Sequence, residues 1–175
     1  MTKKKIFIWT CDYSKNSGEG KLARLFVKNF NKKKKFIIKF NQKKILNQKY
    51  ISTFWGIIYC WRKYLNQETV CYLNYLPLWN FLIFIFLPPK TILGPITGGA
   101  YYSKSNNVSY FVRSLIFPIF YKISEFSLNL RNINPIFSTD LLKKYLSRKT
   151  VVNSKFNFVV KNFFFKKNIK KKKKN

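Results

Sequence analysis

Ile92-Leu93-Gly94-Pro95-Ile96-Thr97-Gly98-Gly99-Ala100 is the stretch on which the fold turns. An apolar run from Lys90 to Leu93 stops abruptly at Gly94-Pro95, and two more glycines follow closely. Glycine there permits positive φ and lets a ligand approach bare backbone, so that unpaired N–H groups could face an anion or a sugar hydroxyl. In a sheet built of βαβ units, such loops sit at the carboxyl ends of the strands, where α/β proteins bind ligands. Pattern alone leaves two readings open: a tight turn joining strand to helix, or a ligand-facing loop.

Working outward, strands and helices alternate. Lys5 to Trp9 reads as a parallel strand buried on both faces. Its basic lead resembles a signal peptide, but four apolar residues are too few for the hydrophobic region of one. After a polar loop comes Ser17-Gly18-Glu19-Gly20, then a helix with Leu22, Ala23, Phe26, Val27 and Phe30 on one face and Ser17 as its N-cap. Phe36 to Phe40 is a second strand and Thr69 to Leu73 a third; Thr91 to Leu93 is the fourth. Tyr50 to Leu65 is expected as a helix whose apolar face is Ile51, Phe54, Trp55, Ile58, Cys60 and Trp61. Pro77 to Leu87 reads as an aromatic-rich helix ended by Pro88-Pro89, and Ser109 to Leu128 as a long helix kinked at Pro118. Asn134 to Ser138 is a short strand, and Ser138 or Thr139 caps a short helix after it. Phe156 to Phe165 is expected as a last strand or two.

Val70 to Leu87 runs eighteen residues without a charge, at the lower edge of what spans a bilayer. Asn74, Pro77 and Asn80 interrupt it, so it divides into strand, turn and buried helix.

The 175 residues suffice for one well-buried domain, placed at 1–160, with 161–175 a lysine-rich disordered tail. The net charge of +30 comes from 35 Lys plus Arg against 5 acids. It points to an anionic partner, although the dominance of Lys, Asn, Ile, Phe and Tyr also follows from AT-rich codons. With no histidine in the chain, Ser-His-Asp catalysis and histidine-ligated metals are excluded. Cys11, Cys60 and Cys71 are odd in number and widely spaced, which suits reduced thiols better than a disulfide framework or a zinc site. No metal site and no resident cofactor are expected.

The first glycine loop is not a P-loop, because Lys15 stands where the first glycine belongs and Leu22 where Ser or Thr should follow Lys21. Gly18 to Ala23 match the letters of the dinucleotide fingerprint, but too many residues separate them from the strand, and no acid ends strand two. No lysine-bearing strand or catalytic Asp/Asn set makes it a kinase loop. What remains is a helix N-terminus behind a parallel strand, suited to a phosphate or diphosphate.

Together these features give an α/β fold with a doubly wound, mostly parallel sheet. The wording of three segments then resembles the amino-terminal, acceptor-side half of retaining GT-B glycosyltransferases, the group that builds bacterial polysaccharides. Ser17-Gly18-Glu19-Gly20 stands where those enzymes have a small-residue loop after strand one. Leu93 to Ala100 is similar to their GP-x-x-GG loop, and Phe137 to Lys143 looks like the strand-then-hydroxyl segment late in that domain. The likeness covers residues 3 to about 160.

The resemblance implies a Rossmann-like domain and transfer from a nucleotide-sugar donor, as co-substrate, to a glycan or lipid-linked acceptor. It implies contact of Gly18 and Gly20 with the donor diphosphate. Gly94, Pro95, Thr97, Gly98, Gly99 and Tyr101 would line the acceptor pocket, and no catalytic residue can be named. The family's second domain carries a Glu-x7-Glu motif; no two glutamates here are eight apart. The chain therefore reads as an acceptor half, inactive alone, whose donor-binding domain is missing or separately encoded. The resemblance and the charge together suggest a cytoplasmic protein in contact with an anionic membrane surface.

Two other classes stay in view. Lys32 to Lys35 and Lys166 to Lys174, with Phe163 to Phe165 nearby, could track phosphates and stack bases in a nucleic-acid-binding protein, although no specific nucleic-acid motif is present. An integral membrane protein built on Val70 to Leu87 is the third.

Overall fold

A computed structural model describes residues 5–29, 35–40, 48–98 and 108–159. Four parallel strands form its sheet: β1 (Lys5–Thr10), β2 (Lys35–Phe40), β3 (Thr69–Tyr72) and β4 (Ile92–Leu93), in the order β2-β1-β3-β4. Ile6 pairs with Phe36 on one side and Thr69 on the other, and Cys71 pairs with Ile92. Beyond β4 the sheet continues as single bridges, Ile96 to Phe137 and Ile136 to Lys155. The molecule is thus a mixed α/β fold around a parallel sheet.

Side chains alternate across the sheet, as the period of two requires. Ile6, Ile8, Cys71 and Leu73 pack with Ala23, Phe26 and Val27 of α1 (Gly18–Lys28). Phe7, Trp9, Val70 and Tyr72 point the other way, into the larger cluster. That cluster is closed by α2 (Gln48–Leu65), α3 (Phe81–Phe86) and a long broken helix. The broken helix runs α4 (Val108–Phe111), a π-turn (Val112–Ile116) and α5 (Phe117–Leu130). The irregularity expected at Pro118 falls just before it, where the ring removes a donor from the helical ladder. A 3₁₀ helix, Asp140–Tyr145, is capped by Thr139 through Leu141 N, and α6 (Arg148–Asn153) is capped by Ser147.

Several expectations need correction. Pro77 to Leu87 is helical only over Phe81–Phe86. Pro77 instead pairs with Thr97 in a parallel bridge, and Leu78 N donates to Thr97 O at 2.7 Å, so this backbone belongs to the sheet. Residues 156–159 form no strand: Phe156 turns inward and stacks on Phe137, with centroids 5.0 Å apart. The remainder of that expected strand lies outside the described residues, as do Phe30, Lys32, the Phe163 to Phe165 group and the tail.

The largest reversal is in α2. Trp55 and Ile58 are each 57% exposed, whereas Ile57 is 7% and Cys60 0% exposed. Beside the latter, Ser52, Thr53 and Gly56 face inward. Bulk on the strands causes this. A Cβ at Gly56 would lie 2.2 Å from Trp9 Nε1 and 2.7 Å from Tyr72 Cε2, so the large aromatics of β1 and β3 fill the gap and only small helix residues fit above them. No helix among the described residues is long and apolar enough to cross a membrane, and Val70 to Leu87 divides into strand, turn and helix.

Candidate functional site

The carboxyl ends of β1, β3 and β4 bring together the β1–α1 loop, Asn74-Tyr75 and the Gly94 loop. Asn74, fully buried, is the hub. Its Nδ2 donates to Asp12 O at 2.6 Å and Glu19 O at 3.4 Å, while its Oδ1 accepts from Cys11 N at 3.0 Å and Thr10 Oγ1 at 3.1 Å. One side chain thereby ties the end of β3 to the loop after β1. Sequence reading treated Asn74 as a polar interruption; a buried amide placed just after a strand was the signal available.

In the first loop, Ser17 caps α1 through Gly20 N at 2.8 Å. The Asp12 carboxylate accepts from Ser14 N at 2.8 Å and, at close range, from Ser17 Oγ. Partial burial raises the Asp12 pKa, but the hydrogen bonds from Ser17 and Ser14 outweigh it and hold the carboxyl below its ordinary range. An internal carboxylate thus stands at the start of α1, the place a helix offers to an anion. Gly18 is open: a Cβ there would meet nothing within 4 Å. Gly20 is buried, and its added Cβ would fall 2.2 Å from Ser14 O. These two glycines therefore differ in kind.

The second loop is held by backbone. Gly94 N donates to Tyr72 O at 2.8 Å, Ile96 N to Ile136 O at 2.7 Å and Thr97 N to Leu76 O at 2.9 Å. The expectation of bare amides is not met at these three positions. No glycine among the described residues has positive φ, so conformational freedom is not why glycine stands here. Gly94 is required by closeness, since a Cβ would lie 1.7 Å from Leu73 O. Gly94 and Pro95 are buried, Thr97 and Gly98 half-buried, and Gly98 sits against Leu142, 2.8 Å from an added Cβ. Gly99 and Tyr101 lie outside the described residues.

Tyr75 is the residue that pattern reading missed altogether. Its φ of 56° is a left-handed conformation that costs a bulky side chain energy. Its amide donates to Glu19 Oε2 at 3.4 Å. Burial first, then the charges of Asp12 and Glu19, push its phenol pKa up. Cys11 stands behind them, 3.8 Å from Tyr72 Oη. Burial pushes its thiol up as well, which makes it a poor nucleophile at neutral pH. Cys60 is pushed up to about 12 and Cys71 well above the ordinary thiol range, both by burial. All three cysteines are free, and no cluster of metal-ligating side chains occurs among the described residues.

The edge therefore carries the Asp12 and Glu19 carboxylates, the first already engaged by Ser14 and Ser17, a half-buried tyrosine and one open glycine. Carboxylates and hydroxyls accept and donate to a polyhydroxyl ligand; they offer little to a strong anion except at Gly18. Elsewhere, a polar cleft of about 100 Å³ lies beside the end of α5, lined by Asn129, Asn132, Asn134 and Lys149 among others. None of the candidate donor- or acceptor-binding residues borders it. No protein-family model, no curated protein and no solved structure matches the chain.

Proposed function

We propose that this chain is the acceptor-side, Rossmann-like wall of a GT-B glycosyltransferase, holding a glycan or lipid-linked acceptor for sugar transfer from a nucleotide sugar. The observation that carries it is the edge where β1, β3 and β4 end. There Asn74 ties down the main-chain carbonyls of Asp12 and Glu19, the Tyr75 amide donates to the Glu19 carboxylate, and the Gly94 loop docks alongside. Acidic and phenolic groups at the rim of an α/β sheet suit hydrogen bonding to sugar hydroxyls. The loops worded like those of the transferases fall on this same edge.

In this reading the donor diphosphate approaches the open backbone of Gly18, beside the Asp12 carboxylate that already takes the Ser14 and Ser17 donors, and Gly20 shapes the turn beneath it. Thr97, half-buried, offers its hydroxyl to the acceptor, with the buried Gly94 and Pro95 and half-buried Gly98 shaping the loop that holds it, and the resemblance assigns Gly99 and Tyr101 to the same acceptor group. Retaining transfer relies on orienting the donor and stabilising its leaving diphosphate. A cleft with one wall cannot orient the donor, and orientation accounts for roughly 7–11 kcal/mol of such barriers. The chain alone should therefore turn over no substrate, and a donor-binding domain should supply the rest.

The test is an assay of the purified chain with nucleotide sugars and lipid-linked acceptors, read by nucleoside diphosphate release and, separately, by acceptor binding. Expected are no turnover, saturable acceptor binding, and loss of that binding in Thr97→Val at unchanged Tm. Multiple turnover by the chain alone would overturn the half-enzyme. Absence of any acceptor binding would overturn the acceptor wall.

A further inference from the structure

The helical layer of α2, α3 and α5 has an outer side that the core does not use. On α2, Phe54, Trp55, Ile58 and Leu65 are exposed. On α3, Leu82, Ile85 and Phe86 are exposed while Ile83 and Phe84 are buried. Along the α4–α5 run, Phe111, Leu115, Ile119, Phe126 and Leu130 recur at nearly every fourth residue, opposite the buried Tyr121, Ser124 and Leu128.

The three helices form one continuous surface. Trp61 Nε1 of α2 donates to Phe86 O of α3 at 2.6 Å. Ser124 Oγ of α5 donates to Leu78 O at 2.6 Å, Arg131 caps Ile85 O and Pro88 O at 2.7 and 3.1 Å, and Phe81 meets Phe120 with centroids 5.0 Å apart. So large an exposed apolar face is a docking surface by the ordinary standard for soluble proteins.

Charge decides what docks there. Of the five acids in the chain, four lie off these helices and the fifth, Glu125, is buried. Asp12 and Glu19 are at the carboxyl edge, Glu68 is paired with Lys63 in the turn after α2, and Asp140 begins the 3₁₀ helix. Glu125 faces inward, where its Oε1 accepts from Ser147 N and Oγ at 2.7 and 2.6 Å. The exposed charged residues beside the apolar side chains are cations, Arg62, Arg113 and Lys122, the last of which also pairs with Glu125 Oε2 at 3.1 Å. A second copy would bring one cationic rim against another in a chain of charge +30, which disfavours self-association. A bilayer with anionic headgroups complements both parts, the apolar centre and the cationic margin.

We propose that the outer face of α2, α3 and the α4–α5 run docks on an anionic lipid bilayer by inserting its apolar side chains below the headgroups. The charge count alone predicts attachment by lysines. The structure adds a particular face and an apolar component that salt cannot release. This does not rest on the transferase reading, since a chain that binds vesicles but no acceptor would keep the one and sink the other.

The test uses the full chain with phosphatidylcholine vesicles containing phosphatidylglycerol, read by co-sedimentation and by quenching of tryptophan fluorescence with acyl-brominated lipid. Trp9 is buried, whereas Trp55 and Trp61 would enter the quenching zone. Expected are quenching, binding that high salt weakens without abolishing, and a loss of roughly tenfold or more in partitioning for the combined Phe54→Ser, Trp55→Ser, Ile58→Ser variant. A second variant, Phe126→Ser with Leu130→Ser, should lose binding independently if the first misfolds. Unchanged partitioning in a folded variant, or full release by salt without quenching, would overturn the proposal. So would a wild-type dimer that these substitutions dissociate.

Discussion

The two glycine loops are spelled alike and built differently. Around Gly18-Glu19-Gly20 the loop is shaped by side chains: Asp12, Ser14 and Ser17 bond one another, and Asn74 anchors them from the next strand. Around Gly94-Pro95-Ile96-Thr97 it is shaped by main chain, with amides engaged by Tyr72, Ile136 and Leu76 carbonyls. A loop held by side chains leaves backbone such as Gly18 facing outward. A loop held by backbone uses its glycine where two chains press together. The same residue type therefore marks access in one place and packing in the other.

The comparison breaks first at Gly94. With Leu73 O only 1.7 Å from an added Cβ, Gly94→Ala must displace main chain between β3 and β4, and we expect a loss of about 3 kcal/mol or more in denaturant unfolding. A variant as stable as wild type would show that the second loop is not backbone-locked. Gly20→Ala comes next. Ser14 O and N lie 2.2 and 2.6 Å from the new methyl, so the turn must shift and the cap loosen, at about 2 kcal/mol.

Acid should sharpen the contrast. Because the folded Asp12 pKa is depressed, its contribution is present above the unfolded value of about 4 and is lost as pH falls through the folded value. Asp12→Asn should flatten the stability profile in that acid window while leaving Tm at pH 7 only modestly lower. An unchanged acid limb would remove Asp12 from the first loop's support. The smallest effect belongs to Gly18→Ala, where the side chain meets open space in the first helical turn. Stability should rise by about 0.5 kcal/mol, measured by thermal unfolding, because the unfolded chain loses freedom. A destabilised variant would place Gly18 in the packing class with Gly94.

Much of this was legible in the chain. Strand identities follow from short apolar runs bounded by polar loops, and β1, β2 and β3 fall within a residue or two of where Lys5, Phe36 and Thr69 place them. Ser17 and Thr139 cap their helices because a hydroxyl before an apolar run has one good local partner, the orphan amide. The break at Pro118 follows from a missing N–H. These are local matters, settled by bonds a few residues long. The open edge of the site was partly legible through Gly18; Asn74 and Tyr75 were not, since their roles come from residues more than fifty positions away.

What the sequence determined by itself is the parallel α/β alternation, the capped helix starts and the scarcity of acids; that Glu125 of α5 turns inward was decided by Ser147. Tertiary structure alone decided which side of α2 is inside. Hydrophobicity favours burying Trp55 and Ile58, but Trp9 and Tyr72 already fill the space above the sheet, so steric fit gave that position to Gly56, Ser52 and Cys60. It also decided what Gly94 is for, because the carbonyl that forbids a side chain there belongs to Leu73, on a neighbouring strand. Excluded volume between segments distant in sequence has no signature along the chain.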